Sequence, residues 1–198
     1  MTTTLDRIHK LTRKRGTLRA SELSAHGIAR VQLTRLVAAG ELERVARGVY
    51  ALPTHAPGEH VALTTVAQRT PDAVFCLLTA LRFHNLTTQA PFEVWIAIAN
   101  KAHLPRLAWP KLCVVRFSGA ALTTGIATRM VDGVPLRITD VAKTVADCFK
   151  FRNKIGLDVA LEALREAVTK RRASVDEIWR AATVCRVTTV MRPYLDSL

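Results

Sequence analysis

Two acids in the 198-residue chain have a spacing that could serve chemistry on phosphodiesters. Asp72, which follows Pro71, and Glu93 are separated like the carboxylates that hold a metal ion in many nucleases, where the ion positions an attacking water. That chemistry also asks for a lysine two residues after the second acid, and Trp95 stands there. Asp72 reads better as an acid in the first turn of a helix, where it complements the helix dipole. His55 and His60 have no Cys or His pair to complete a zinc set, and Glu59-His60 is not part of an HExxH. Cys76, Cys113, Cys148 and Cys185 lie more than thirty residues apart in apolar or mixed surroundings, a pattern of buried reduced thiols. The chain has no GxSxG, P-loop or GxGxxG. No catalytic residue, metal ligand or cofactor is therefore expected, and the protein is not expected to be an enzyme.

The residues with chemistry to offer are cations. The 29 Lys and Arg against 16 Asp and Glu leave a net charge of +13, which points to an acidic partner, most simply nucleic acid. Residues 1 to 53 hold ten of the bases against four acids. Within that stretch Arg30, Gln32, Thr34 and Arg35 have the side chains that read base edges, Arg at guanine and Gln at adenine. Arg44 and Arg47 lie in "GELERVARGVYALP", and Lys14 and Arg15 close an N-terminal basic run; these suit phosphate contacts or the minor groove.

The elements that must position these cations are legible. "TTTLDRIHKLTRKR" sets Leu5, Ile8 and Leu11 at helical spacing with bases between them, and Gly16 ends the helix. "TLRA" is a short extended piece; Ser21 is the expected N-cap of a brief helix that exits at Gly27. "IARVQLTRLVAAG" follows, with Leu33, Leu36 and Val37 on one stripe while Val31, Thr34, Arg35 and Ala38 point away. Ala29 stands where a capping Ser or Thr is usual. Two strands then turn at Arg47-Gly48. Helix, short helix, turn, helix and hairpin is the order of a winged helix-turn-helix, with the hairpin as the wing.

"PTHAPGEH" interrupts the pattern, which gives a domain over residues 1–53, a linker over 54–58 and a second domain over 59–198. In the latter, "EHVALTTVAQRT" and "PDAVFCLLTALRFHNL" read as helices, "FEVWIAIA" and "KLCVVRFS" as strands, and "RMVDGVPLRIT" as a hairpin about Asp132-Gly133. Thr139-Asp140 caps "VAKTVADCFKF", "LDVALEALREAVTKRR" is amphipathic, and Ser174 with Glu177 forms a capping box. The fold class is α+β: an N-terminal winged helix-turn-helix, then a larger mixed α/β domain with a small sheet and about five helices. No apolar run reaches the roughly 20 residues of a membrane helix, and "MTTTLDRIHK" lacks the apolar core of a signal peptide. A cytoplasmic protein without a membrane partner is expected.

The wing "LERVARGVYALP", the later "ALRFHNLTTQAP" with "VWIAIA", and "VPLRITDVAKTVADCFKF" with "ALEALREAV" together resemble the AbiEi-type antitoxin family of type IV toxin-antitoxin systems over nearly the whole chain. The resemblance implies a transcriptional autorepressor whose winged helix-turn-helix binds inverted repeats in its own promoter. It also implies a larger domain that counteracts a co-encoded nucleotidyltransferase-like toxin without an obligatory stable complex. It places DNA contact on Arg30, Gln32, Thr34, Arg35, Arg44 and Arg47, and a symmetric operator would pair two copies on DNA. It assigns no neutralising residue; Lys143, Lys150, Arg152 and Lys154 read as a basic belt about "DCFKFRNK". Two rival readings are a one-component regulator whose second domain senses a small ligand and a metal-dependent nuclease.

Overall fold

A computed structural model describes residues 6–8, 11, 17–51, 60–89 and 92–197. The chain divides into two compact units, the first made of Met1–Pro71, Arg106–Pro110 and Met130–Leu136, the second of Asp72–Pro105, Lys111–Arg129 and Arg137–Leu198. Among the described residues the architecture is mixed α and β, with two sheets.

In the first unit, residues 6–8 and 11 are helical (α1). Then come β1 (Thr17–Arg19), α2 (Ala20–Ala25), α3 (Arg30–Ala38), β2 (Glu43–Ala46), β3 (Val49–Ala51) and α4 (Val61–Arg69). β1 pairs antiparallel with β3, and β3 with β2, giving the order β1-β3-β2. The apolar stripes anticipated from spacing meet in one small core: Ile8, Leu18, Leu23, Ile28, Leu33 and Leu42 are buried, with Leu11, Leu36, Val37 and Tyr50 packed against them. Each fully buried Leu or Ile contributes about 1.5–3 kcal/mol of transfer free energy, and these six side chains are what packs the short helices against the sheet. Leu5 and Gly16 of the expected first helix, and the expected linker, lie outside the described residues.

One start signal was misread. Helix α2 begins at Ala20, after Arg19, rather than after Ser21. The Arg19 backbone N–H donates to the Glu22 carboxylate at 3.0 Å, so the acid three residues into the helix closes the first turn and leaves Ser21 exposed.

The second unit contains α5 (Leu77–Phe83), a 3-10 turn (Gly119–Leu122), α6 (Val141–Lys150), α7 (Arg152–Ile155), α8 (Leu157–Thr169), α9 (Val175–Cys185) and α10 (Thr188–Leu195). A second sheet, its strands mainly in this unit, is made of β4 (Val74–Phe75), β5 (Val94–Ala99), β6 (Leu112–Phe117), β7 (Ile126–Val131) and β8 (Val134–Thr139) in the order β6-β5-β4-β8-β7. β4 lies antiparallel to β5 and parallel to β8, and β5 parallel to β6. The strands at β5 and β6, the turn at Asp132-Gly133 with both residues at positive φ, the Asp140 cap and the Ser174–Glu177 capping box stand where expected. "PDAVFCLLTALRFHNL" departs from expectation, because Val74 and Phe75 are the central strand and the helix starts only at Leu77. Asp72 therefore sits in a turn, not in a helix, and its carbonyl accepts from the Arg137 guanidinium at 2.9 Å. Leu77, Leu81, Val115, Phe117, Val145, Phe149, Leu164, Ile178 and Met191 lead the core of this unit.

Candidate nucleic-acid interface

The geometry of the first unit starts from the turn between α2 and α3. Gly27 takes φ +77°, which lets the Ile28 N–H donate back to the Leu23 carbonyl at 2.9 Å and puts the Ile28 side chain into the core. α3 then starts after Ala29 with no side-chain cap, as the sequence indicated. Leu33 is fully buried and anchors α3; three and four residues on, Leu36 and Val37 extend the same inward stripe.

What remains outward on α3 is Arg30, Val31, Gln32, Thr34 and Arg35, all exposed. The Thr34 hydroxyl donates to the Arg30 carbonyl at 3.3 Å, so its hydrogen is engaged along the helix while its oxygen can still accept. Val31 is 62% exposed, an apolar group in the middle of this polar face. Gly40 ends the helix at φ +71° with open space around its Cα, so glycine is there for its backbone alone.

The hairpin β2–β3 turns at Arg47-Gly48, with Gly48 at φ +77°. Arg44 and Arg47 are both exposed on it. Two contacts fix its tip. The Ala20 N–H donates to the Gly48 carbonyl at 2.9 Å, and the Arg69 guanidinium donates to the Arg47 carbonyl. Arg69 is at the end of α4, and its neighbour Gln68 accepts from Arg19 Nε at 3.3 Å. Burial, then the nearby Arg69 charge, push the Arg19 guanidinium below its ordinary pKa. Sequence reasoning missed Arg19 and Arg69 as members of this basic surface. The pairing of residues 19 and 68 across forty-nine positions leaves no local signal.

All of the expected contact residues on α3 and the hairpin thus belong to one unit and are exposed, whereas Lys14 and Arg15 lie outside the described residues. Among the described residues there is no cluster of His, Cys, Asp and Glu able to hold a metal, and no helix long and apolar enough to cross a membrane. Of the spaced acids, Glu93 accepts from Cys113 Sγ at 2.6 Å and pairs with Lys111, whereas at Asp72 it is the backbone carbonyl that takes the Arg137 guanidinium. The thiol and ammonium bonds hold its carboxyl below the usual range, whereas burial and the Glu93 carboxylate push the Cys113 thiol up to about 11.

The basic belt needs one correction. Lys143 is fully buried, with Nζ 2.6 and 2.5 Å from the two carboxylate oxygens of Asp147 and 4.2 Å from the centre of the Phe117 ring. Asp147 also accepts from Cys185 Sγ at 3.2 Å. The ion pair at i, i+4 turns its side of α6 inward, because a cation matched to a buried carboxylate can leave water where an unmatched one cannot.

Comparison with known proteins bears on the first unit most directly. Residues 6–53 match the family model described as "Transcriptional regulator, AbiEi antitoxin". No curated protein matches the chain. Among solved structures, the chain is similar to the crystal structure of the RV2827C protein from Mycobacterium tuberculosis. The two are 17% identical with a TM-score of 0.62, over 92% of this chain and 72% of that one. At that identity the likeness is one of fold.

Proposed function

We infer, from the premise that residues 6–53 are a regulator module of the AbiEi antitoxin type, that this protein represses transcription by gripping duplex DNA through its first unit. In this reading α3 enters the major groove and the β2–β3 hairpin is a wing on the flanking backbone. The observation that carries it is the outward face of α3. The side chains of Arg30, Gln32 and Arg35 are exposed and make no hydrogen bond or ion pair among the described residues.

The chemistry follows from side-chain geometry. Arg30 and Arg35 present planar forks suited to guanine O6 and N7, Gln32 an amide suited to adenine, and Val31 an apolar contact for a thymine methyl group. Thr34, whose hydroxyl hydrogen is held by the Arg30 carbonyl, offers its oxygen as an acceptor. Arg44 and Arg47 neutralise phosphates, with Lys14 and Arg15 as further backbone contacts and Arg69 behind the wing.

On the same reading the protein is the antitoxin of a type IV toxin-antitoxin pair. It binds inverted repeats in its own promoter as two copies, counteracts a co-encoded nucleotidyltransferase-like toxin through residues 59–198, and works in the cytoplasm. The domain division 1–53, 54–58 and 59–198 belongs to this proposal. Footprinting of the full chain on its own upstream region tests it: protection of two symmetric half-sites is expected, and uniform weak protection overturns it.

A further inference from the structure

The second unit carries a cleft of about 610 Å³ that the DNA reading does not use. Three arginines from three different elements line it: Arg129 on β7, Arg172 just past α8, and Arg180 on α9. Their guanidinium groups make no hydrogen bond or salt bridge among the described residues, Arg180 reaching Glu177 only through its charge, although ion pairs elsewhere in the unit show that carboxylates are available to cations.

The floor of the cleft is built closely. Gly125 stands at φ +68°, where a Cβ would come within 2.7 Å of Lys143 Cβ and 3.2 Å of Asp140 Oδ2. Its carbonyl accepts the Asp140 N–H at 2.9 Å, which ties the start of β7 to the capped end of α6.

His84, only 8% exposed, also lines the cleft. Its Nε2 lies 2.7 Å from the Thr139 carbonyl. A carbonyl only accepts, so Nε2 carries the proton and Nδ1 of the neutral ring is an acceptor, with no partner among the described residues.

Two carboxylates complete the lining. Glu177 accepts from the Ser174 N–H at 2.8 Å and its hydroxyl at 2.9 Å, and Asp140 Oδ1 accepts from the Lys143 N–H at 2.8 Å. Their remaining lone pairs and His84 Nδ1 accept no further hydrogen bond from the described residues, and on the exposed Glu177 the Ser174 bonds, then the Arg180 charge, hold the carboxyl below its ordinary pKa.

A bare anion satisfies the arginines and leaves those acceptors unused. A ligand with phosphate at one end and hydroxyl or amino donors at the other satisfies both. Guanidinium forks match phosphate oxygens in pairs, and the volume falls in the range of small-molecule sites, roughly 300–1,000 Å³. We propose that this cleft binds a small phosphorylated nucleoside, with its phosphates on Arg129, Arg172 and Arg180 and its sugar or base donors on His84, Asp140 and Glu177. The proposal stands apart from DNA recognition by the first unit.

Isothermal titration of the full chain with pyrophosphate, with adenosine, and with the common ribonucleoside 5′-diphosphates tests it. One diphosphate is expected to bind saturably and more tightly than pyrophosphate, with adenosine alone inert. Arg172→Gln/Arg180→Gln is expected to weaken that binding at least about tenfold. His84→Gln is expected to weaken the nucleotide while leaving pyrophosphate unchanged. The three residues replaced do not belong to the hydrophobic core, and unchanged thermal unfolding of each variant checks its fold. No saturable binding of any diphosphate, pyrophosphate binding as tightly as the best nucleotide, an unaffected arginine double variant, or displacement of the nucleotide by duplex DNA each overturns the proposal.

Discussion

The Ala20 backbone N–H donates to the Gly48 carbonyl at 2.9 Å, so the tip of the hairpin is hydrogen-bonded to the first turn of α2. Gly48 is thus a turn residue at φ +77° and an anchor in the same peptide unit. An L side chain there costs about 1–2 kcal/mol of backbone strain. Gly48→Val is expected to lower urea stability by about that amount and to weaken binding to all duplexes. Unchanged unfolding would contradict the strained turn.

Arg30→Ala and Arg35→Ala are expected each to cost about 1–3 kcal/mol on the operator and far less on random DNA. Both side chains are exposed, so the fold is unaffected. Anisotropy titrations on the two duplexes read the difference directly, and equal losses on both would remove α3 from base readout.

Arg44→Ala/Arg47→Ala is expected to weaken binding without regard to sequence. Two lost phosphate contacts reduce the slope of log K against log salt by about 1.8, at roughly 0.9 per phosphate. A full slope in the double variant would take the hairpin off the DNA backbone.

Lys143→Met leaves the Asp147 carboxylate buried without its cation, which typically costs about 3–5 kcal/mol. Adding Asp147→Leu is expected to return most of that, because an apolar pair needs no desolvation of charge. Urea unfolding of the single and double variants checks this, and a near-silent single variant would contradict a paired, buried lysine.

His84 gives a pH signature. Burial lowers its pKa, against the hydrogen bond to the Thr139 carbonyl that raises it; Arg172 and Arg129 lower it further, and Asp140 opposes them. With the folded value below the unfolded one, the unfolded chain binds the proton first. Stability is therefore full above the unfolded value of about 6.5 and falls as pH drops below it. His84→Gln is expected to flatten the fall below about pH 6.5, as read by urea unfolding at each pH.

The parts of the molecule with local causes were legible in the sequence. Asp140 as a cap, the hairpin at Asp132-Gly133 and the inward stripe Leu33, Leu36 and Val37 depend on residues within a few positions of one another. Apart from the start of α2, which turns on the local Arg19–Glu22 contact, the departures from expectation have causes outside the local sequence. β4 is two residues long, and only its pairing on both sides, Phe75 with Ile96 and Ile138, makes it a strand rather than the start of a helix. Lys143 looks like a surface base until Asp147, Cys185 and Phe117 are seen around it. Arg19 and Arg69 join the hairpin region through contacts no spacing announces. The cleft arginines come from three elements, and no short stretch brings them together.

The most direct test of DNA recognition by the first unit is the affinity of the full chain for its own upstream duplex against a shuffled duplex of equal length, near 0.15 M salt, about physiological ionic strength. The account predicts a preference of at least about a thousandfold. Equal affinity for the two duplexes would contradict it.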